Sequence, residues 1–378
     1  MLPRTAFSEE HEIYRESVRR FVEREIVPHH AEWESAGMVS REVWRAAGEH
    51  GLLCPFVPEE YGGAGGDFLH VAVVAEELAR VDATGPAFHL HSGIVAPYIL
   101  HYGSEAQKRR WLPGMCTGEI IGAIAMSEPA AGSDLAGMRT RALRDGDEYV
   151  INGQKTFISN GQLADLVITA CKTDPEAGAR GISLMLVDAT TNGFARGRNL
   201  DKVGWKAQDT SELFYDDVRV SVEDRLGEEN RGFHYLMQQL AQERLIIAIR
   251  SAVTMESALA WTVDYTRQRQ AFGRAVADFQ NTRFKLAEVK ARAVVTRTFV
   301  DRCLELHMQG GLDANDAAIA KLHATETLMQ VLDDCLQLHG GYGYMWEFPI
   351  ARAWAGHRVS RIAGGSSEIM KEIIARTL

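Results

Sequence analysis

The segment Ala125-Met126-Ser127-Glu128-Pro129-Ala130-Ala131-Gly132-Ser133-Asp134 lies where helix-like apolar spacing gives way to short strand-like runs. It ends an apolar run in a hydroxyl group, a rigid proline and a turn of small residues. Small residues let a ligand approach the main chain, and the amides and hydroxyls of Ser127, Gly132 and Ser133 can bond ring heteroatoms or phosphate. Because most small-residue loops between strands are plain turns, the segment alone is only a candidate site.

Residues 1–119, which precede this segment, are predicted to form a helical domain. Over 13–26 the apolar residues recur at helical spacing, with Ser8 as the N-cap and Pro28 closing the pattern. Further helices are predicted over 72–78 and 106–115.

Residues 120–228 are predicted to form a β domain, either an antiparallel barrel or a sandwich. Short β-rich runs alternate there with turn residues. Asn152-Gly153, between two of these runs, is the strongest hairpin-turn pattern in the chain. The predicted strand segments are 120–126, 149–151, 155–158, 166–171, 182–187 and 213–220.

Residues 229–378 are predicted to form a bundle of long helices, because apolar periodicity continues through long stretches and the only proline is Pro349. The run Leu245-Ile246-Ile247-Ala248-Ile249 is apolar on more than one side, which predicts burial against both its own domain and a neighbouring subunit. The predicted fold class is therefore α+β, mostly α, in three domains. The long helical stretches are 232–267, 279–309 and 313–339.

The composition of the chain excludes several function classes. Its 378 residues are enough for two or three packed domains, and its formal net charge is −10 with a pI near 5.8. This balance argues against nucleic acid as a partner, so an anionic substrate must be bound by local charges. No apolar run approaches membrane-spanning length, and residues 1–14 lack a signal-peptide pattern. We expect a soluble, cytoplasmic protein, or one of the mitochondrial matrix if a transit peptide was removed.

Cysteine and histidine spacing gives no metal site. The five cysteines are scattered and odd in number, which predicts reduced thiols with a packing role. The pairs His29/His30 and His89/His91 lack an acid or cysteine partner at ligand spacing, so no metal is predicted. The cysteines are Cys54, Cys116, Cys171, Cys303 and Cys335.

Several motifs between Phe7 and Leu378 resemble those of the acyl-CoA dehydrogenase family of flavoproteins, and the likeness is greatest to its long-chain and isovaleryl-type branches. Besides the segment quoted first, the motifs are Glu59-Glu60-Tyr61-Gly62-Gly63, Asn152-Gly153-Gln154-Lys155-Thr156-Phe157-Ile158-Ser159-Asn160-Gly161, Arg269-Gln270-Ala271-Phe272-Gly273, Gln337-Leu338-His339-Gly340-Gly341-Tyr342-Gly343 and Gly364-Gly365-Ser366-Ser367-Glu368-Ile369.

The resemblance implies FAD as the cofactor and an acyl-CoA thioester as the substrate. A carboxylate would remove the α-proton, the β-hydrogen would pass as hydride to flavin N5, and the product would be the trans-2-enoyl-CoA. The α-proton is too weakly acidic for a carboxylate alone, so donors must stabilise the thioester oxygen as negative charge develops. An electron-transfer flavoprotein is the implied electron acceptor, and a homotetramer built as a dimer of dimers is the implied assembly.

The position of the base distinguishes the branches of the family. Many members carry a glutamate near the C-terminus where this chain has Gly364, whereas the long-chain and isovaleryl branches carry it on a long helix in a Glu-Arg-Leu context. This chain reads Glu243-Arg244-Leu245, so Glu243 is the predicted base. From the helix alone a solvated surface carboxylate would be the commoner interpretation. The resemblance also implies that the N–H of Gly364 bonds the thioester oxygen, alongside a ribityl hydroxyl of the flavin.

The cofactor contacts are likewise implied by the resemblance. Phe157 stands where relatives often have Trp, and Ala130 stands where Gly is usual. The guanidinium of Arg269 suits a pyrophosphate, although a surface cation is an alternative, and Gly340-Gly341 could be an ordinary helix-ending turn. The implied flavin-ring and ribityl contacts are Ile124, Ala125, Met126, Ser127, Gly132, Ser133, Phe157, Ile158 and Ser159. The implied contacts to a neighbouring subunit's FAD are Arg269, Phe272, Gln280, Gln337, Leu338, Gly340 and Gly341, with Ser366 and Glu368 near the cofactor at the last helix.

The implied substrate contacts line a channel for CoA and its thioester. Ala363, where relatives often place Tyr, and a predicted helix break at 85–87 favour a long or methyl-branched acyl chain. Two other readings stay open: a flavin oxidase or monooxygenase on the same scaffold, and a catalytically inactive binding module. Retention of a base at Glu243 argues against both. The implied channel residues are Ser133, Ala241, Gln242 and Arg244.

Overall fold

The computed structural model describes residues 3–378, and its first part is helical. The helices are α1 (Glu9–Phe21), α2 (His30–Ala36), α3 (Arg41–Glu49), α4 (Phe68–Arg80), α5 (Phe88–Leu90), α6 (Ala96–Tyr102) and α7 (Glu105–Thr117). Ser8 caps α1 as predicted, since its Oγ accepts from the backbone N–H of His11 at 3.5 Å. Pro28 does not close the helical path, because it lies in a 3₁₀ turn that leads directly into α2. The helices predicted over 72–78 and 106–115 lie within α4 and α7.

The middle of the chain forms a single sheet, and the parts of the chain before and after it are helical. This arrangement confirms the predicted fold class. The strands of the sheet are β1 (Gly122–Ala125), β2 (Arg141–Asp145), β3 (Glu148–Ser159), β4 (Leu166–Lys172), β5 (Ile182–Asp188), β6 (Phe194–Asn199), β7 (Thr210–Ser221) and β8 (Arg225–Leu226). The strand order is β6-β7-β3-β2-β4-β5-β8, with β1 paired to β4. Most pairs are antiparallel, but β1 runs parallel to β4, and β2 meets β4 in parallel at Arg141 and Lys172.

The hairpin turn predicted at Asn152-Gly153 is wrong. Strand β3 runs straight through these residues, and the turn before it lies at Gly146. At Asn152 the register with β7 shifts, and Asn152 Nδ2 donates to Asp217 Oδ1 at 2.9 Å across this bulge. A Cβ at Gly153 would lie 2.5 Å from Thr140 Oγ1. Glycine is therefore required here because another segment comes close, and not because the chain turns.

The last part of the chain is a bundle whose long helices match the predicted stretches. They are α8 (Gly232–Gln268), α9 (Gln280–Met308) and α10 (Ala314–His339), followed by α11 (Pro349–His357) and α12 (Ser367–Ala375). A short ladder of β9 (Gln270–Ala271) and β10 (Arg274–Ala275) joins α8 to α9. Pro349 occupies the first turn of α11, where its missing N–H costs nothing.

Helix α8 is the central helix of the molecule. It is long and apolar enough to cross a membrane, but 67% of its apolar window is buried inside the protein, so it is a core helix. Leu245, Ala248 and Ile249 of this run share one buried cluster with residues of α4 and of the bundle. These neighbours include Leu69, Ala72, Val300 and Ala320. Most of the run is thus buried within its own chain, whereas Ile247 is half-buried, and the predicted contact with a neighbouring subunit stays a prediction.

Two further groups of residues have structural explanations. The five cysteines are buried free thiols. His11, Asp67 and His70 could together approach a metal ion, but their polar atoms already cap helices. His11 Nδ1 bonds the N–H of Ser8 at 3.1 Å at the start of α1, and His70 Nδ1 bonds the N–H of Asp67 at 3.2 Å at the start of α4.

Candidate active site

Glu243 is a buried carboxylate on α8, with 4% of its surface exposed. Burial raises its pKa to about 7, against the opposing effects of a hydrogen bond from Tyr98 and the charge of Arg244. The Tyr98 hydroxyl donates to Glu243 Oε1 at 3.0 Å. A carboxylate whose pKa lies near neutral pH is suited to act as a general base. The solvated-surface interpretation of Glu243 is therefore wrong.

A second helical segment lies along α8 and supplies Tyr98. It consists of α5, the π-helical turn His91–Val95 and α6. A Cβ at Gly93 would lie 2.6 Å from Ile246 Cδ1, so glycine permits this close approach. Gln242 Nε2 donates to the Gly93 carbonyl at 2.7 Å, and Gln242 Oε1 lies 3.1 Å from His307 Nε2. The amide of Gln242 is thus engaged within the protein and holds the two helices together.

Gly364 lies against α8 one helical turn beyond Glu243. It has φ +65°, and a Cβ there would lie 2.6 Å from Ile247 Cδ1. Residues four apart on a helix share a face, so Gly364 approaches the face that carries Glu243. Arg244 Nε donates to the Gly364 carbonyl at 3.3 Å. A carboxylate from either position would thus enter the same region, as the exchange between 243 and 364 implies.

The predicted flavin segments are brought together by one main-chain hydrogen bond and by the side chain of a buried lysine. The N–H of Thr156 donates to the Ser127 carbonyl at 2.9 Å. Buried Lys155 lies beneath this junction, where its Nζ donates to the Met126 carbonyl at 3.0 Å and to Glu128 Oε1 at 2.9 Å. The end of β1 and the end of β3 therefore form one surface.

Phe157 presents its ring on this surface. It has φ +61° and lies in a second bulge, where the register of β3 against β7 shifts between Lys155 and Ile158. Its exposed fraction is 69%, whereas Ile158 and Ala125 are buried in the core of the sheet. Those two residues can meet a ligand only through their main chain. An exposed ring beside the Ser127 segment fits a flat, polar-edged group such as a flavin.

A separate cleft is lined by five of the other predicted cofactor residues. Its volume is about 520 Å³, and it joins the end of α8 to the end of α10. The Arg269 guanidinium lies 5.8 Å above the Tyr342 ring there. The cleft is lined by Tyr265, Arg269, Val276, Gln337, Leu338, His339, Gly340, Gly341, Tyr342 and Met345.

The remaining predicted residues lie at helix starts and turns. Phe272 is 97% exposed in the β9–β10 hairpin, and Gln280 is the exposed first residue of α9. Ser366 caps α12 by accepting from the N–H of Ile369 at 3.4 Å, and exposed Glu368 follows in the first turn. Ser133 and Gly132 are exposed on their loop, while Ala241 is half-buried beside Gln242 on α8.

Sequence reasoning missed two residues at the site. Tyr98 and Lys321 reach the site from helices distant in sequence from the motifs they contact. Lys321 Nζ, on α10, donates to the Gly365 carbonyl at 2.7 Å. Neither residue belongs to a motif, and each would be taken as an ordinary helix residue.

Each of the three parts of the fold matches a domain of known proteins. The acyl-CoA dehydrogenase N-terminal, middle and C-terminal domain models match residues 8–119, 123–218 and 230–378. The chain is 54% identical over 377 residues to the long-chain specific acyl-CoA dehydrogenase of Sus scrofa, covering 99% of this chain and 88% of the relative. It is 35% identical over 374 residues to the isovaleryl-CoA dehydrogenase of Pongo abelii, covering 98% and 88%. The long-chain relative is thus the nearer of these two.

Solved structures give the same result. An acyl-CoA dehydrogenase from Geobacillus kaustophilus has a TM-score of 0.98 at 49% identity and covers 99% of each chain. An acyl-CoA dehydrogenase from Bacillus anthracis, solved in complex with FAD, has a TM-score of 0.91 at 30% identity, covering 98% of this chain and 66% of that one.

Proposed function

Because the chain belongs to the acyl-CoA dehydrogenase family and is an acyl-CoA dehydrogenase with FAD as its cofactor, we propose that it oxidises long-chain acyl-CoA thioesters to trans-2-enoyl-CoA with Glu243 as the base. One observation carries the proposal. Glu243 is a buried carboxylate with a pKa of about 7, in a chain that has glycine at the alternative position 364.

In the proposed mechanism, Glu243 takes the α-proton of the substrate. A pKa of about 7 leaves a substantial fraction ionised at neutral pH, and the low dielectric around it makes the carboxylate a stronger base than one in water. Tyr98 holds the carboxylate in one orientation by donating to Oε1. The other carboxylate oxygen has no hydrogen-bond partner among residues 3–378, so it is the oxygen we assign to the proton.

The thioester oxygen needs donors as negative charge develops on it. We assign the main-chain N–H of Gly364, whose turn is held against α8 by Arg244. The positive charge of Arg244 lies next to this turn and favours the same charge development.

FAD supplies the hydride acceptor for the β-hydrogen when it is bound. The surface formed by Phe157 and the Ser127 segment would hold its ring system, since it offers an exposed aromatic face beside hydroxyl and amide groups. The guanidinium in the Arg269 cleft would meet a pyrophosphate. In line with the family resemblance of its motif, we propose that Arg269 serves the FAD of a neighbouring subunit in a homotetramer.

The test is an anaerobic titration of the purified holoenzyme with straight and branched acyl-CoAs, following the loss of the oxidised flavin absorption. We expect long straight-chain thioesters to bleach the flavin most completely. Bleaching only by short or branched thioesters would overturn the long-chain assignment. Rapid reoxidation of the reduced enzyme by oxygen, without an electron-transfer flavoprotein, would favour an oxidase instead.

A further inference from the structure

Lys321 is a fully buried lysine on α10 that the proposed mechanism does not yet use. Its Nζ donates to the Gly365 carbonyl at 2.7 Å. Among the residues that the structure describes, no carboxylate forms an ion pair with it. Burying an ammonium group without a direct ion pair is costly, and an apolar side chain of the same length would fill the space at lower cost. The position therefore calls for a functional explanation.

The segment that Lys321 contacts is the turn that carries Gly364. Gly364 and Gly365 have φ values of +65° and +97°, and two consecutive glycines restrict the main chain little. Arg244 restrains the peptide plane that follows Gly364, and Lys321 restrains the next plane. The Gly364 N–H lies in the plane before Gly364, so the two cations restrain it through the turn and not directly. The orientation of the turn therefore depends on these two cations, one from α8 and one from α10.

Helix α10 holds the same turn at a second point. Glu326 Oε1 accepts from Arg361 Nε at 2.8 Å and from Ser367 Oγ at 2.6 Å. Glu326 thus anchors both ends of the turn, and Lys321 fixes its middle. A turn anchored at both ends would persist without Lys321, so a methionine there should leave the fold intact and release only the glycines.

We propose that Lys321 is a positioning residue for the dehydrogenation, which orients the Gly364 N–H toward the thioester oxygen by holding the Gly365 carbonyl. This inference rests on the proposed function and deepens it. Lys321 does not touch the substrate. Together with Arg244 it places two positive charges on the turn that carries this N–H, which would add to the stabilisation that the N–H provides.

The proposal has a consequence for pH. Burial and the charge of Arg244 lower the pKa of Lys321 to about 8, with Arg361 acting in the same direction and Glu326 and Glu368 opposing. Below this pH the ammonium holds the turn. As the pH rises through about 8 the charge is lost, the hold weakens, and kcat/KM should decline.

The test compares wild-type holoenzyme with Lys321→Met and with a control, Thr325→Val. Thr325 is equally buried one turn further along α10, and its Oγ1 donates to the main-chain carbonyl of Lys321 at 2.9 Å, so the control removes a neighbouring buried hydrogen bond and leaves the Lys321 ammonium in place. For Lys321→Met we expect flavin reduction by palmitoyl-CoA to slow by about 10- to 100-fold, since small errors of position are costly in catalysis. FAD content and the dissociation constant of the enoyl-CoA product should stay within about threefold of wild type.

Two readouts separate positioning from general damage. The decline of kcat/KM near pH 8 should disappear in Lys321→Met and persist in Thr325→Val. A bound 3-thiaacyl-CoA, whose α-proton is acidic but which is not oxidised, should lose that proton at a higher pH in Lys321→Met, because its oxygen is less well stabilised. Unchanged reduction rate and unchanged α-proton acidity would overturn the proposal. If Glu243→Gln also reduced flavin at the wild-type rate, the proposed function itself would fail, which distinguishes the two outcomes.

Discussion

Two turns flank the site, and a buried lysine holds each of them. Lys155 donates to the Met126 carbonyl beneath the predicted flavin surface, and Lys321 donates to the Gly365 carbonyl beside the predicted thioester site. The difference between them is the counter-charge. Lys155 also pairs with Glu128 at 2.9 Å, whereas Lys321 contacts only the carbonyl.

Because only Lys155 forms an ion pair, the two lysines have different roles. Glu128 accepts from the N–H groups of Arg139 and Thr140 at 2.6 and 3.0 Å as well as from Lys155. Although burial favours its neutral form, the charge of Lys155 and these N–H groups hold the pKa of Glu128 below its usual value. Burial lowers the pKa of Lys155, and the charge of Glu128 opposes this shift, so each member of the pair favours the charged form of the other and the pair acts as a structural anchor. Lys321, with a pKa of about 8, titrates in the working range.

The largest expected effect is on the stability of the paired turn. In Lys155→Met the carboxylate of Glu128 loses its buried partner, so the free energy of unfolding should fall by about 3–5 kcal/mol. FAD content should fall with it, because the Ser127 segment loses its support. Urea unfolding and the flavin-to-protein absorbance ratio measure both. The double variant Lys155→Met/Glu128→Gln should recover part of the lost stability. If Lys155→Met lost less stability than Lys321→Met, Lys155 would not be the structural anchor of the two.

A smaller effect is expected from crowding the glycine turn. Gly364→Ala places a Cβ 2.6 Å from Ile247 Cδ1 at a positive φ, so it should cost about 1–3 kcal/mol of stability and slow flavin reduction. Stopped-flow reduction and thermal unfolding measure the two effects. Adding Ile247→Ala should relieve the crowding but not the backbone strain. Full recovery of both stability and rate would show that crowding against Ile247, and not the backbone geometry of the turn, causes the two losses.

The smallest effect is expected at the hydrogen bond to the base. The Tyr98 hydroxyl lowers the pKa of Glu243, so Tyr98→Phe should raise it and leave less carboxylate at pH 7. The rate at pH 7 should fall by about threefold to tenfold, which corresponds to the roughly 0.5–1.5 kcal/mol that a typical hydrogen bond contributes. The rising limb of the kcat/KM profile should move to higher pH. If the rising limb of the pH profile did not move, the ionisation of Glu243 would not be its cause.

The sequence predicted the helices well because their apolar periodicity is local. The bounds of α8, α9 and α10 fall within one residue of the predicted stretches, because the apolar pattern of each helix is long and regular. The hairpin at Asn152-Gly153 failed for a non-local reason. Glycine is needed there because Thr140, on a neighbouring segment, comes too close for a side chain.

The residues of the site also divide into those that a local sequence pattern reveals and those that it does not. Glu243 could be found because a motif surrounds it, whereas its partner Tyr98 lies 145 residues away in sequence. Lys321 lies 44 residues from the carbonyl it holds. Contacts between distant helices leave no pattern in either segment, so only the structure reveals them.

The central claim is that Glu243 removes the α-proton of an acyl-CoA. Its most direct test is anaerobic stopped-flow mixing of palmitoyl-CoA with wild-type and Glu243→Gln holoenzymes, following flavin absorption. We predict that the variant keeps FAD and binds the thioester, but reduces its flavin about 10²- to 10⁴-fold more slowly, because only the proton acceptor is removed. Reduction within about twofold of the wild-type rate would contradict the account, because the base would then be another group.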